Sequence, residues 1–160
     1  MSELRIGLGV DAHAFEDGVQ LVLGGVAIEH PRDLAGHSDG DVIAHALTDA
    51  LLGAAGLGDI GSLFPSEDER WQNADSLDLL RDAYAQVRQA GFELVNADCI
   101  LIGEEPRIAP HREGMRQRLA GALGVERQCV NVRATTTDRL GFTGRGEGLA
   151  AEAVALLERI

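Results

Sequence analysis

Cysteine is scarce: Cys99 and Cys129 are the only two in 160 residues. Their spacing fits neither a zinc ribbon nor a redox pair, and both fall in apolar, β-like stretches. Two buried, reduced thiols are therefore expected. No apolar run approaches the roughly 20 residues a membrane helix needs. The segment Met1-Ser2-Glu3-Leu4-Arg5 lacks the basic-then-apolar layout of a secretory leader. A single cytoplasmic domain over residues 1–160, with no membrane partner, is the expectation. Basic charge is scarce too: 14 Lys and Arg stand against 26 Asp and Glu, a net charge of −12. Such a chain has little long-range attraction for nucleic acid, where phosphate contacts dominate affinity. A phosphate ligand would need local charge reversal by a metal ion, backbone N–H groups or a few placed arginines. There is no G-x-S-x-G nucleophile motif and no cysteine near a histidine. That absence suits phosphoryl transfer between phosphates, where the nucleophile is already anionic and catalysis is mostly positioning and charge neutralisation.

Residues 4–10 alternate like a strand, and Phe15-Glu16-Asp17-Gly18 reads as a turn. Residues 20–28 read as a strand bent at Gly24-Gly25. Residues 39–52 form an amphipathic helix with Val42, Ile43, Ala46, Leu47, Ala50 and Leu51 as its stripe, and Gly53 and Gly56 as stops. A loop at 59–66 precedes a helix at 76–90 capped by Ser76. A strand at 92–103, a helix at 110–123 and a strand at 130–137 follow, then a glycine-rich loop at 141–148. Residues 149–160 favour helix by propensity, but a strand buried on both faces would be equally apolar. This order predicts an α/β or α+β sandwich, one layer of helices over one mixed sheet.

Three polar groups carry chemistry. Asp11 and His13 sit at i and i+2 of an extended segment, so their side chains point the same way. The segment His37-Ser38-Asp39-Gly40-Asp41 enters the first helix. His45 shares a helical face with Asp41 and Asp49, opposite the apolar stripe. Two imidazoles and one carboxylate from Asp11, His13 and His45 suit zinc with a fourth position open to substrate. Asp49 is placed to orient an imidazole. Read alone, the same residues equally fit scattered surface polar groups. Thr135-Thr136-Thr137-Asp138 at a strand end offers hydroxyls to phosphate and a carboxylate to magnesium; a threonine-rich strand ending in a turn is the plain alternative. Arg145 among four glycines suits an anion. The loop at 103–110 could frame a base or ribose, or merely connect. Gly7-x-Gly9-x-x-Ala12 follows a strand but no helix follows it, so a dinucleotide fingerprint is rejected.

Gly9-Val10-Asp11-Ala12-His13-Ala14-Phe15, His37 to Asp41, His45 to Gly53, Gly58-Asp59-Ile60-Gly61 with Phe64-Pro65, and Thr135 to Gly148 together resemble the 2-C-methyl-D-erythritol 2,4-cyclodiphosphate synthase family. The resemblance runs nearly the whole chain, in order and at the family's spacing. It implies a 4-diphosphocytidyl-2-C-methyl-D-erythritol 2-phosphate substrate whose 2-phosphate attacks the β-phosphate and expels CMP, a lyase step of non-mevalonate isoprenoid biosynthesis. It implies zinc on Asp11, His13 and His45, and transition-state stabilisation by His37 and Thr136. Asp138 would hold magnesium or manganese with the substrate diphosphate. Asp59, Gly61 and Phe64 would hold the erythritol and Pro106 and Arg107 the cytidine, with Ser38, Ile60, Asp68, Thr135 and Thr137 as further substrate-binding residues. The implied fold is a four-stranded mixed sheet under helices, with residues 149–158 as a strand. The implied assembly is a homotrimer with sites between subunits, and Phe142, Arg145 and Glu147 would line an axial cavity able to hold an isoprenoid diphosphate. Asp138 stands where some members have glutamate, Ser66 where they have aspartate and Arg107 where they have lysine. No cytidylyltransferase domain is expected in the chain. Two rival classes remain: a non-catalytic metalloprotein that binds isoprenoid diphosphates through Arg145, and a metal phosphohydrolase, for which the sequence lacks a second set of carboxylates.

Overall fold

A computed structural model of the chain describes residues 2–36, 39–65, 68–69 and 74–160. The strands are β1 (Leu4–Asp17), β2 (Gln20–Leu23), β3 (Val26–Glu29), β4 (Arg32–Leu34), β5 (Phe92–Ile102), β6 (Val130–Thr135) and β7 (Gly148–Arg159). The helices are α1 (Val42–Ala55), α2 (Ile60–Leu63), α3 (Ser76–Gln89), α4 (Arg112–Leu123) and α5 (Gly141–Gly144). The main sheet has the order β4-β1-β7-β5-β6, and only β5 and β6 run parallel. The fold is thus mixed α+β, as expected.

The expected four-stranded sheet gains a fifth strand. The Phe15–Asp17 stretch is no turn: it extends β1 and pairs antiparallel with β4. The bend expected within 20–28 is a complete hairpin, with Gly24 and Gly25 at positive φ between β2 and β3. Residues 59–66 contain α2 rather than only a loop, and residues 141–148 open with the single turn of α5. The cap of α3 is Asp75, one residue before Ser76; its side chain accepts the Leu77 N–H.

Packing of α1 on the sheet fixes everything near the metal-type residues. A Cβ on Gly7 would lie 2.0 Å from the Ala50 carbonyl oxygen, and one on Gly9 1.9 Å from that of Ala46. Only glycine lets the helix backbone approach the strand this closely. In the neighbouring strand, Ala155 pairs with Gly7 and Ala153 with Gly9. Small side chains on two strands thus make a shallow floor for α1. That explains an alanine-rich strand: β7 holds Ala151, Ala153 and Ala155 buried beneath the helix, against its helix propensity. The helix is buried nearly all round, and the face opposite the apolar stripe, His45 included, is covered as well.

The start of α1 is pinned by Asp41. It is fully buried, caps the helix by accepting the Ala44 N–H, and accepts the Gly24 and Gly25 N–H groups at 2.9 and 2.8 Å. Burial pushes its carboxyl up to about 6 against those three donors. The opposite face of the sheet carries Leu4, Ile6, Leu8 and Val10 of β1 and Val154 of β7, all exposed.

Replacing Gly9 by alanine is expected to destabilise the fold by about 1–3 kcal/mol through forced separation of helix and strand. Gly53→Ala, inside the same helix with its nearest neighbouring atom 4.0 Å from the added Cβ, is expected to stabilise by about 0.5–1 kcal/mol. Urea unfolding of the two variants checks both signs.

Candidate metal centre

Alternation along β1 puts Gly7, Gly9, Asp11 and His13 on the helix side. The glycines pass beneath α1, with Gly7 against Ala50 and Ala54 and Gly9 against Ala46 and Ala50. Two residues further, Asp11 reaches the first turns of the helix, where His45 projects. His45 Nδ1 lies 3.1 Å from Asp11 Oδ2, and His13 Nε2 lies 2.9 Å from the same oxygen. The two rings meet edge-on, with centroids 5.7 Å apart.

Each of the three residues offers one ligand atom, and these atoms all lie within 4.8 Å of one another. They form the one such group of three among the described residues. A tetrahedral ion with bonds near 2.0–2.1 Å holds its ligands about 3.3 Å apart, close to the 2.9 and 3.1 Å contacts. His13 Nε2 is buried beside Asp11 Oδ2 at 2.9 Å, yet it is not aligned for a hydrogen bond to that oxygen. A buried imidazole nitrogen turned toward a carboxylate oxygen and a second imidazole suits a shared ion better than a hydrogen bond. The residues therefore fit a cation, and two nitrogens with one oxygen leave a tetrahedral corner open.

Burial pushes the Asp11 carboxyl up, but the two imidazoles beside it prevail and hold it below its ordinary value. The Asp11 carboxylate raises His13 above its ordinary value, against the opposing effect of burial.

The far nitrogen of His45, Nε2, lies 2.9 Å from Ser76 Oγ. Ser76 Oγ–H in turn donates to Asp39, whose carboxylate also accepts the Ser76 and Asp41 backbone N–H groups, each at 3.1 Å. Asp49, expected to orient an imidazole, lies one turn beyond His45 on α1. Its carboxylate accepts the Ile60 N–H at 2.8 Å and fastens α2 to α1; burial raises its pKa, and nearby Asp59 and Asp11 add to that. Ser76 was legible only as a helix cap. Nothing local links it to a histidine 31 positions away.

Two candidate residues, His37 and Ser38, lie outside the described residues. Asp59 caps α2, and a capping box with Ser62 closes that turn. Ile60 is half-buried, Gly61 exposed and Asp68 half-buried. Phe64 is buried in the core next to α2. Pro106 and Arg107 sit on the loop after β5, with the arginine exposed. Thr135 and Thr136 are exposed at the end of β6, and Thr136 Oγ1 accepts the Asp138 N–H at 2.7 Å. The Thr137 hydroxyl is committed elsewhere: it donates to the Leu140 carbonyl and lies 2.9 Å from Thr143 Oγ1. Asp138 and Arg139 both adopt positive φ. Such backbone strain in non-glycine residues clusters at functional sites. Phe142 is exposed, and Arg145 pairs with Glu147 at 2.9 Å.

His13 pairs with Leu149 of β7, Ala150 with Ile102 of β5, and Ile102 with Thr135 of β6. The triad and the threonine segment thus share one end of the sheet. Three strand spacings, roughly 14 Å, separate them.

A sequence model of the YgbB family matches residues 4–158. The 2-C-methyl-D-erythritol 2,4-cyclodiphosphate synthase of Rubrobacter xylanophilus is 62% identical over 162 residues, covering 99% of this chain and 98% of its own. The bifunctional IspDF of Campylobacter jejuni superposes with a TM-score of 0.96 at 44% identity, over 100% of this chain and 43% of that one. A 2C-methyl-D-erythritol-2,4-cyclodiphosphate synthase solved in its CDP-bound form gives a TM-score of 0.87 at 39% identity, over 96% of this chain and 99% of that one.

The contribution of His13 to stability in metal-free protein is complete below 6.5 and is lost as pH rises through its raised value. Asp11 contributes above 3.8, throughout the same range. Metal binding needs a neutral imidazole, so stabilisation by metal grows as that contribution fades. Thermal melts with chelator and with zinc, at about pH 5.5 and about pH 8, are expected to show the larger zinc-induced rise in Tm at the higher pH. An equal rise at both contradicts this.

Proposed function

This chain belongs to the YgbB family, and we infer that it converts 4-diphosphocytidyl-2-C-methyl-D-erythritol 2-phosphate to 2-C-methyl-D-erythritol 2,4-cyclodiphosphate and CMP. It is a lyase of non-mevalonate isoprenoid biosynthesis. The observation that carries this reading is the meeting of Asp11, His13 and His45 on one point, in a chain alike over nearly its full length to synthases of that name.

In the reaction, an oxygen of the substrate's 2-phosphate forms a bond to the β-phosphorus. The bond from that phosphorus to the CMP oxygen breaks, and CMP leaves with the electron pair. No water is consumed and no strong base is needed, because the nucleophile is already an anion. A zinc ion on Asp11, His13 and His45 would supply Lewis-acid charge to a phosphoryl oxygen. The chain's own task is then to hold two phosphates in line and to shield their charge. His37 and Thr136 are the residues proposed to steady the transferring phosphoryl group. The Thr136 side chain lies at an exposed strand end and has a hydroxyl to offer. Thr135 and the loop N–H groups are proposed for the remaining oxygens. Asp138 is proposed to hold magnesium or manganese shared with the diphosphate. Ser38, Asp59, Ile60, Gly61 and Asp68 are proposed to flank the erythritol, and Pro106 and Arg107 the cytidine.

The working unit is proposed to be a homotrimer. Leu4, Ile6, Leu8 and Val10 are from 56% to 73% exposed on one face of β1. A continuous bare apolar face of this kind supports an interface. The roughly 14 Å between triad and threonine segment supports completion of each site by a neighbouring subunit. Phe142, Arg145 and Glu147 are proposed to line the axial cavity, where an isoprenoid diphosphate could pair with Arg145. Two free thiols suit a reducing compartment such as the cytoplasm.

Purified protein with substrate and divalent metal is expected to release CMP and a cyclic diphosphate, resolved from linear products by phosphorus NMR. His45→Ala is expected to lower that rate by about a thousandfold or more, the several kcal/mol a Lewis acid supplies. CMP release undiminished in that variant, or a linear product, would refute the reading. Ile6→Glu is expected to shift the assembly toward monomer in light scattering; an unchanged mass would remove β1 from the interface.

A further inference from the structure

Beyond the residues assigned above, the hydrogen bonds around His45 form a directed chain. Asp39 has only acceptor oxygens when ionised, and three donors converge on it: the Asp41 N–H, the Ser76 N–H and the Ser76 hydroxyl. The Ser76 hydroxyl has one proton and gives it to Asp39. What Ser76 Oγ then offers toward His45 is a lone pair, so the imidazole must bring its own proton at Nε2, 2.9 Å away. A neutral imidazole protonated at Nε2 carries its lone pair at Nδ1, the nitrogen beside Asp11 Oδ2, where that pair would be directed at a shared cation. The middle of the chain is shielded from water, with Ser76 wholly buried and His45 only 9% exposed, while Asp39 at its end is half-buried.

We propose that Ser76 and Asp39 are positioning residues for the metal centre: acting as a carboxylate–hydroxyl relay, they hold His45 in the tautomer that presents Nδ1 to the ion. This rests on the metal reading of Asp11, His13 and His45. It gives a second duty to Ser76, which by sequence merely begins α3, and a specific one to Asp39, which by sequence only lies at the entry to α1. It also ties the start of α3 to the donor set, so that the helix layer and the ion hold one another in register. Ligand-orienting partners of this kind are worth about 10–100-fold in metal affinity.

The test is zinc affinity by chelator competition, together with the absorption spectrum of the cobalt-loaded protein. Ser76→Ala removes one buried oxygen and is expected to weaken zinc binding about 10–100-fold and to alter the cobalt bands. Ser76→Thr restores the hydroxyl and is expected to recover most of the affinity. Thr48→Val serves as the control: it also removes a buried hydroxyl, one within α1 that donates to the Ala44 carbonyl and not to His45, and is expected to leave zinc affinity unchanged. The wild-type protein supplies a readout independent of any variant's folding. Long-range proton–nitrogen spectra of the zinc-loaded form are expected to show His45 ligated at Nδ1 and protonated at Nε2. Zinc affinity unchanged in Ser76→Ala, an equal loss in Thr48→Val, or ligation through Nε2 overturns the proposal while leaving the metal reading intact. A wild type that binds no zinc overturns both.

Discussion

Two backbones lie closer together along Gly7 and Gly9 than any side chain would permit, and the position of His45 follows from that approach. The contact is steric, set by what the glycines lack and by the alanines paired with them across β7. Helix α1 settles onto this floor, Asp41 locks its first turn to the β2–β3 hairpin, and the helix then has one place to present an imidazole. Asp11 and His13 lie on the same side of the same strand, just beyond the floor. The donor set is therefore a product of strand alternation and helix seating. Neither is specific to metals.

Such a site resolves an electrostatic difficulty. The chain carries a net charge of −12, yet its proposed ligand is a polyphosphate. Bulk attraction cannot draw the two together, so affinity has to be generated locally. A carboxylate and two imidazoles, none more than 24% exposed at the side chain, would hold a cation where solvent screens it little. On the proposed reading, the exposed loops after β5 and β6 would add Arg107, hydroxyls and N–H groups. Ion pairs elsewhere, such as Arg133 with Asp98 or Arg159 with Glu3, are exposed and contribute little to stability.

Much of this was legible in the residues. The D-x-H pair could be read because strands have period two, and α1 because its apolar positions recur at helical spacing. Where reading failed, the cause was distance along the chain. Phe15 to Asp17 look like a turn until β4, some fifteen residues on, supplies hydrogen-bond partners. The alanines of β7 favour helix until a helix seated on them demands small side chains. Asp49 stands one turn from His45 on the same face, and its bond to the Ile60 N–H could not be read because α2 is a separate element that folds back onto α1. Ser76 and Asp39 are 37 positions apart, and a serine that opens a helix looks alike whether or not it also touches a ligand. The Gly7-x-Gly9 spacing imitates a phosphate-binding fingerprint, although its purpose is packing.

The central claim is that two imidazoles and one carboxylate share a single ion with a corner left for phosphate. X-ray absorption at the zinc edge of the loaded protein tests it most directly. The account predicts a first shell of nitrogen and oxygen only, the outer-shell pattern of two histidines, and one light ligand that is replaced when CDP is added. Sulfur in the first shell, or fewer than two histidines, would contradict it.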